Sequence, residues 1–289
     1  MPQQRVLITG ANGLLGSALA PAFQRRGSAE VLRLGRGELD ITDAEAVRSR
    51  MDSFHPDVVI NCAAYTRVDD CETHEPLALQ VNGRGAGNVA RSAAAVGARV
   101  IHLSTDYVFD GRAREPYPED HATGEPARLS AYGRSKRLGE QLVREASPDA
   151  VIVRSSWLFG PAGRCFPQAI LDRARRGEPL AVVDDQVGAP TYAPDLAEAI
   201  ADLAARRARG IFHVTNPGAC SWYAFACAIL RHAGLDVPIR PVGSEAVPRP
   251  ARRPAYSVLD NRRFVETVGR PLRPWLDALD AYLSSAGRP

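Results

Sequence analysis

Residues 5–16 read RVLITGANGLLG. An apolar run of strand type, RVLIT (5–9), meets three glycines, Gly10, Gly13 and Gly16, and then the helical pattern LLGSALAPAFQRRG (14–27). Glycine permits a sharp turn and lets backbone amides approach a bound group. The helix start that follows offers unpaired N–H groups and partial positive charge. Strand, G-x-x-G-x-x-G loop and helix in that order make a pyrophosphate cradle. Gly10, Asn12, Gly13, Leu14, Leu15 and Gly16 are therefore expected against a dinucleotide. Pro21, inside the helical pattern, predicts a kink or a short break.

Outward from this unit the chain keeps alternating. Strands are expected at 30–35, 57–64, 99–105 and 150–160, and helices at 43–55, 75–97 and from Tyr132 to about Ala146. Thr42 or Asp43 would cap the helix at 43–55. This spacing predicts an α/β fold: a Rossmann-type, doubly wound parallel sheet covered on both faces. After a loop rich in Gly, Pro and charge (110–128) and the strand at 150–160, the pattern loosens. Helices are expected at 166–177, 194–208, 221–234 (capped by Ser221) and 274–285, and short strands at 180–186 and 210–216. The expected division is residues 1–153 as the dinucleotide-binding domain and 154–289 mainly as a smaller C-terminal substrate-binding lobe. Segments of the second part are expected to return to the first.

Composition narrows the class. The 289 residues carry a net charge of +3, with no dominant basic run, which argues against a nucleic-acid polymer as partner. Arg249, Arg252 and Arg253 form a small cluster suited to solvent or packing, with anion contact as the alternative. The five cysteines, Cys62, Cys71, Cys165, Cys220 and Cys227, form no C-x-x-C pair, so neither a disulfide framework nor a zinc site is expected. MPQQRVLITG leads straight into a strand, with no signal-peptide pattern, and no apolar run approaches the roughly 18 residues that span a bilayer. A cytoplasmic protein with no membrane partner is the expectation.

The second strand ends RLGRGELD, where an acid often meets the ribose hydroxyls of NAD. Arg36 stands there instead and suits a 2′-phosphate, so NADPH is expected, with NADH as the alternative. Asp40 and Ile41 would border the adenine; Asp40 could equally cap a helix. All but one of the 36 basic residues are arginine, and the exception, Lys136, lies four residues after Tyr132 on one helix face. Thr105 ends the fourth strand, at the edge where ligands bind in such sheets. A phenol is a poor acid at neutral pH, and an adjacent ammonium lowers its pKa. A compact ammonium can also reach two ribose hydroxyls, where a planar guanidinium fits poorly. Pairing of Lys136 with Glu140 on a solvated face is the plainer alternative. Gly133 would let cofactor or sugar lie close beside Tyr132.

Together GANGLLG, LDITD, VVINCAAYTRVDDCE, STDYVFDG, YGRSKRLGE, VVDDQVGAPTYAPDLAEAI, SWYAFA and RRPAYSVLD resemble the extended short-chain dehydrogenase/reductases. More narrowly they resemble the dTDP-4-dehydrorhamnose reductase family. The resemblance implies hydride delivery to C4 of dTDP-4-dehydro-L-rhamnose, with Tyr132 as proton donor, Thr105 orienting the carbonyl and Lys136 tuning Tyr132 and holding the ribose. It also implies that Ala63, Ala64 and Tyr65 line the cofactor, with Val81 and Asn82 nearby. Asp106, Tyr107 and Trp157 would contact the sugar, and Thr66, Val68 and Asp69 would border the site. For Trp157 and Tyr107 a packing role is the alternative. The sequence departs from the family's pattern in EPARLSAY, which is longer than usual, and at Tyr256, where a small polar residue is common. Some relatives use Mg²⁺ at a glutamate-lined homodimer contact. No glutamate cluster here is assignable to one, so no metal residue is named. Rival readings are a 4-ketoreductase for another dTDP-deoxyhexose, an NADP-binding regulatory subunit like methionine adenosyltransferase β, and an epimerase or dehydratase that retains its nucleotide.

Overall fold

The computed structural model describes residues 3–27 and 29–285. Its first half runs β1 (Gln4–Thr9), α1 (Gly16–Gln24), β2 (Ala29–Leu34), α2 (Ala44–Phe54), β3 (Val58–Asn61), α3 (Val68–Thr73), α4 (Glu75–Ala78), α5 (Ala86–Ala95), β4 (Arg99–Thr105), α6 (Ala131–Ala146) and β5 (Val151–Ser155). Then come β6 (Leu158–Phe159), α7 (Phe166–Arg175), β7 (Leu180–Val183), β8 (Val187–Gly188), β9 (Thr191–Tyr192), α8 (Ala193–Ala205), β10 (Gly210–His213) and β11 (Cys220–Ser221). The chain ends with α9 (Trp222–Ala233), β12 (Ile239–Val242), α10 (Arg262–Val268) and α11 (Trp275–Ser285).

Six strands form one sheet in the order β10-β5-β4-β3-β1-β2, with every pairing parallel. The winding reverses between β1 and β3, and such a switch point opens a crevice at the carboxyl ends of the strands. Side chains alternate across the sheet. Val6, Ile8, Val58 and Ile60 pack with residues of α1, α8 and α10, while Leu7, Val59 and Val100 pack with residues of α2, α5 and α6. Each such buried Leu, Ile or Val contributes about 1.5–3 kcal/mol. A separate core joins α7, α9 and α11 around Phe159, Phe225 and Tyr282.

Local chemistry explains where the elements depart from the sequence pattern. α1 runs through Pro21, so the proline takes one N–H bond out of the helix without ending it. Asp43, not Thr42, caps α2 by accepting from the amides of Glu45 and Ala46. The third strand stops at Asn61, short of Ala64. The expected helix 75–97 is interrupted by π-helical turns at Leu79–Gly85. There Gly83 and Gly85 pack closely: added Cβ atoms would sit 2.6 Å from Leu138 and 2.9 Å from Ile41. The expected strand 150–160 breaks at Trp157, whose φ of 47° no strand accepts. That break turns the chain out of the sheet and over the crevice.

Candidate active site

A cavity of about 810 Å³ runs from the glycine loop to the carboxyl ends of β4 and β5. Its floor is made by backbone fit. Gly10 has φ +65°, and a Cβ there would lie 2.6 Å from the Ala63 nitrogen; one at Gly16 would overlap the Gly10 carbonyl. The loop closes through Gly13 N–H donating to the Gly10 carbonyl at 3.0 Å. A side chain at either position would push the loop out of a shape suited to a pyrophosphate. Gly10→Ala is accordingly expected to weaken NADPH binding about tenfold or more, as left-handed strain of about 1–2 kcal/mol converts to affinity. A titration of nicotinamide fluorescence checks this.

The expected cofactor residues converge. Gly10, Asn12, Gly13, Leu14, Leu15 and Gly16 line the cavity, as do Arg36, Asp40 and Ile41 at the β2 end and Ala63, Ala64 and Tyr65 after β3. Val81 lines it too. Arg36 is exposed at the rim. The Asp40 carboxylate accepts from the amide and hydroxyl of Thr42, at 2.9 and 2.8 Å. Those bonds, and Arg36 beside it, hold its pKa below the ordinary value. Asn82 does not line the cavity. It accepts from Tyr65 N–H at 2.7 Å and donates to the Tyr65 carbonyl at 3.0 Å and the Ser135 hydroxyl at 2.9 Å, fixing the Tyr65 backbone.

Thr66, Val68, Asp106, Tyr107 and Trp157 also line the cavity, whereas Asp69 does not. The Asp69 carboxylate instead pairs with Arg253 at 3.0 Å and Arg249 at 3.3 Å, tying the segment between β12 and α10 to α3. This gives two arginines of the terminal cluster a packing role. Trp157 both faces the cavity and stacks on Trp222, with ring centroids 3.5 Å apart and planes 7° apart. Tyr107 packs edge-on against Tyr132, with centroids 5.5 Å apart. Both residues thus combine the packing and the site-facing alternatives.

Thr105, Tyr132 and Lys136 share one end of the cavity. The Thr105 hydroxyl donates to Asp106 Oδ1 at 3.0 Å. Burial raises the Asp106 pKa to about 6, against the pull of the Ser257 and Thr105 hydroxyls. Tyr132 sits in the first turn of α6, which Ser130 caps by accepting from Gly133 N–H at 3.1 Å. Burial pushes the Tyr132 phenol above its ordinary pKa, opposed chiefly by the Thr105 hydroxyl. The phenol therefore stays protonated at neutral pH before substrate binds. The Lys136 ammonium donates to the Leu103 carbonyl at 2.6 Å. Burial lowers its pKa to about 8, opposed by Glu140 and Cys62. Nor is Lys136 a solvated partner of Glu140, which is bound by Arg154 at 2.7 Å with both groups buried. The reading of Gly133 also changes: a Cβ there would overlap the Tyr107 carbonyl, so its glycine seats protein backbone rather than a ligand.

Sequence reasoning missed Ser155 and Ser156, which line the same end. Ser155 lies beside Thr105 in register across β4 and β5, and its buried hydroxyl has no hydrogen-bond partner among the described residues. A signal was present: SSW follows a parallel strand, and ligands gather at carboxyl ends. Among the described residues, no group of three or more His, Cys, Asp or Glu is placed to hold a metal ion.

The family described as "RmlD substrate binding domain" matches residues 4–287. The chain is 46% identical to the dTDP-4-dehydrorhamnose reductase of Streptomyces griseus, over 100% of this chain and 97% of that protein. It is 41% identical to the dTDP-4-keto-6-deoxy-D-glucose reductase of Streptomyces niveus, over 95% of each. Among solved structures, the dTDP-4-dehydrorhamnose reductase of Bacillus anthracis in complex with NADP superposes with a TM-score of 0.94 at 36% identity, covering 98% of this chain and 100% of that one.

Proposed function

We propose, from the premise that this chain belongs to the dTDP-4-dehydrorhamnose reductase family, that Tyr132, Thr105 and Lys136 carry its chemistry. The protein is an NADPH-dependent oxidoreductase that reduces the C4 ketone of dTDP-4-dehydro-L-rhamnose to dTDP-L-rhamnose. The nicotinamide, when bound, supplies the hydride. The glycine loop and the start of α1 would hold the pyrophosphate, and Arg36 at the cavity rim would meet a 2′-phosphate. Tyr132 gives its proton to the oxygen that becomes the alkoxide. Thr105 turns its one hydroxyl proton from Asp106 to that oxygen and so fixes the ketone beside the phenol. Lys136 holds the ribose and adds positive charge where the phenolate forms. Asp106, Tyr107 and Trp157 face the sugar, with Thr66 and Val68 at its border.

One observation carries this reading: the only lysine of the chain is buried in the wall of the cavity that also contains Thr105 and Tyr132. A retained-nucleotide epimerase or a regulatory subunit would need no net NADPH consumption. In the same reading residues 1–153 bind the dinucleotide. Residues 154–289 mainly form the substrate lobe, with α8, β10 and α10 returning to the sheet. The enzyme works in the cytoplasm, as a homodimer.

The test follows NADPH oxidation with dTDP-4-dehydro-L-rhamnose and with other dTDP-4-keto-6-deoxy sugars. The highest kcat/KM is expected for the rhamnose precursor. A higher value for another sugar would move the substrate assignment toward relatives such as the Streptomyces niveus enzyme and leave the hydride chemistry standing.

A further inference from the structure

Three buried polar residues stand side by side across the sheet. Thr9 of β1 is in register with Asn61 of β3, and Asn61 with His102 of β4. All three are within 1% of full burial. The Thr9 hydroxyl donates to Asn61 Oδ1 at 2.6 Å, and Ala63 N–H donates to the same oxygen at 3.3 Å. Two donors on one oxygen fix the orientation of the amide. The amide NH₂ therefore faces His102 Nδ1, 3.1 Å away, and that nitrogen must accept. A neutral imidazole that accepts at Nδ1 carries its proton on Nε2. Nε2 faces the Lys136 ammonium at 3.5 Å.

A donor thus faces a donor. The imidazole is neutral, because burial first and the Lys136 charge second lower its pKa well below the ordinary value. Its N–H edge gives the ammonium no hydrogen bond and leaves the Leu103 carbonyl as the acceptor. The other groups near Lys136 are Cys62 after β3, and Tyr132 and Glu140 on its own helix, with Arg154 of β5 reaching Glu140. Elsewhere around α6, Glu72 accepts from Ala131 N–H, Glu75 pairs with Arg134, and Arg91 donates to Asn88.

We propose that His102 is a positioning residue for Lys136. Its Nε2–H, set by the Thr9–Asn61–His102 row, turns the ammonium away from the ring edge and onto the Leu103 carbonyl in the cavity wall, and disfavours its charged form. This rests on the role given to Lys136 above, but the hydrogen-bond row does not.

Two measurements test it. Long-range ¹H–¹⁵N correlation spectra of the whole protein, with His102 assigned by comparison with His102→Gln, should show protonated Nε2 and bare Nδ1. The Nδ1–H form would overturn the proposal whatever the variants do. The second measurement is the pH profile of kcat. Glutamine can place an amide N–H near the Nε2 position, so His102→Gln should keep the basic limb, which Lys136 sets near pH 8. His102→Leu removes a donor that could not solvate the ammonium, so the charged form gains. Its basic limb should move up by about one pH unit, with kcat about tenfold lower through lost aim. An unmoved limb in a folded His102→Leu protein would overturn the proposal. Absence of ketone reduction in the parent enzyme would instead sink the functional reading and leave the tautomer result intact.

Discussion

Tyr132→Phe lowers kcat for the ketone by about 10²–10⁴-fold, the range for losing a positioned general acid, while the dissociation constant for NADPH changes little. The ring itself is buried and packs edge-on against Tyr107, and phenylalanine preserves that contact. What disappears is the hydroxyl, and with it the proton for the forming alkoxide and a neighbour of Thr105. Stopped-flow hydride transfer with saturating NADPH, beside a thermal melt, separates chemistry from folding. Substantial turnover that grows as pH falls through 6 would identify Asp106 as the acid instead. It is buried in the same cavity wall, with its pKa raised to about 6. Turnover flat with pH and near the parental value would exclude both.

The elements legible in the sequence are those whose cause is local. RVLITGANGLLG determines strand, turn and helix by itself, and β1, Gly10 and α1 lie where that stretch puts them. β4 likewise ends at Thr105 as its apolar run predicts. Tyr132 and Lys136 share a helix face through simple periodicity. The rest depends on partners distant in sequence. Trp157 leaves the strand because its indole stacks on Trp222 and covers Gly188, where a Cβ would come within 2.5 Å of the ring. The π-helical turns form where Gly83 and Gly85 fit closely against Leu138 and Ile41. Spacing revealed that Lys136 was near Tyr132. It did not reveal that Glu140, one turn further on, belongs to Arg154 rather than to the lysine. That depends on which strand faces the helix, a tertiary fact.

Arg154→Met is expected to destabilise the fold by about 3–5 kcal/mol, the usual cost of stranding one member of a buried ion pair. The arginine donates to Glu140 from Nε at 2.9 Å and from Nη2 at 2.7 Å, with the Ser104 hydroxyl as the carboxylate's other partner. Methionine fills part of the arginine stem but donates nothing, so Glu140 loses its paired cation and two hydrogen bonds. In a chain of this size that loss lowers Tm by about 10 °C. Adding Glu140→Leu should recover most of it, because an apolar pair carries no desolvation penalty. A double-mutant cycle at pH 7 therefore shows strong coupling, and additive losses would mean that the pair contributes little. The deficit should also narrow in acid. His213 is held down to about pKa 3 by burial first and then by Arg154. A histidine depressed in the fold stabilises fully above its unfolded value of about 6.5, and that contribution is lost as pH falls toward 3. Removing Arg154 relieves part of the depression, so the parent loses stability faster than the variant below about pH 6.5. Melts at pH 5 and pH 8 measure the difference, and a deficit that widened in acid would contradict the assignment of Arg154 as the counter-ion.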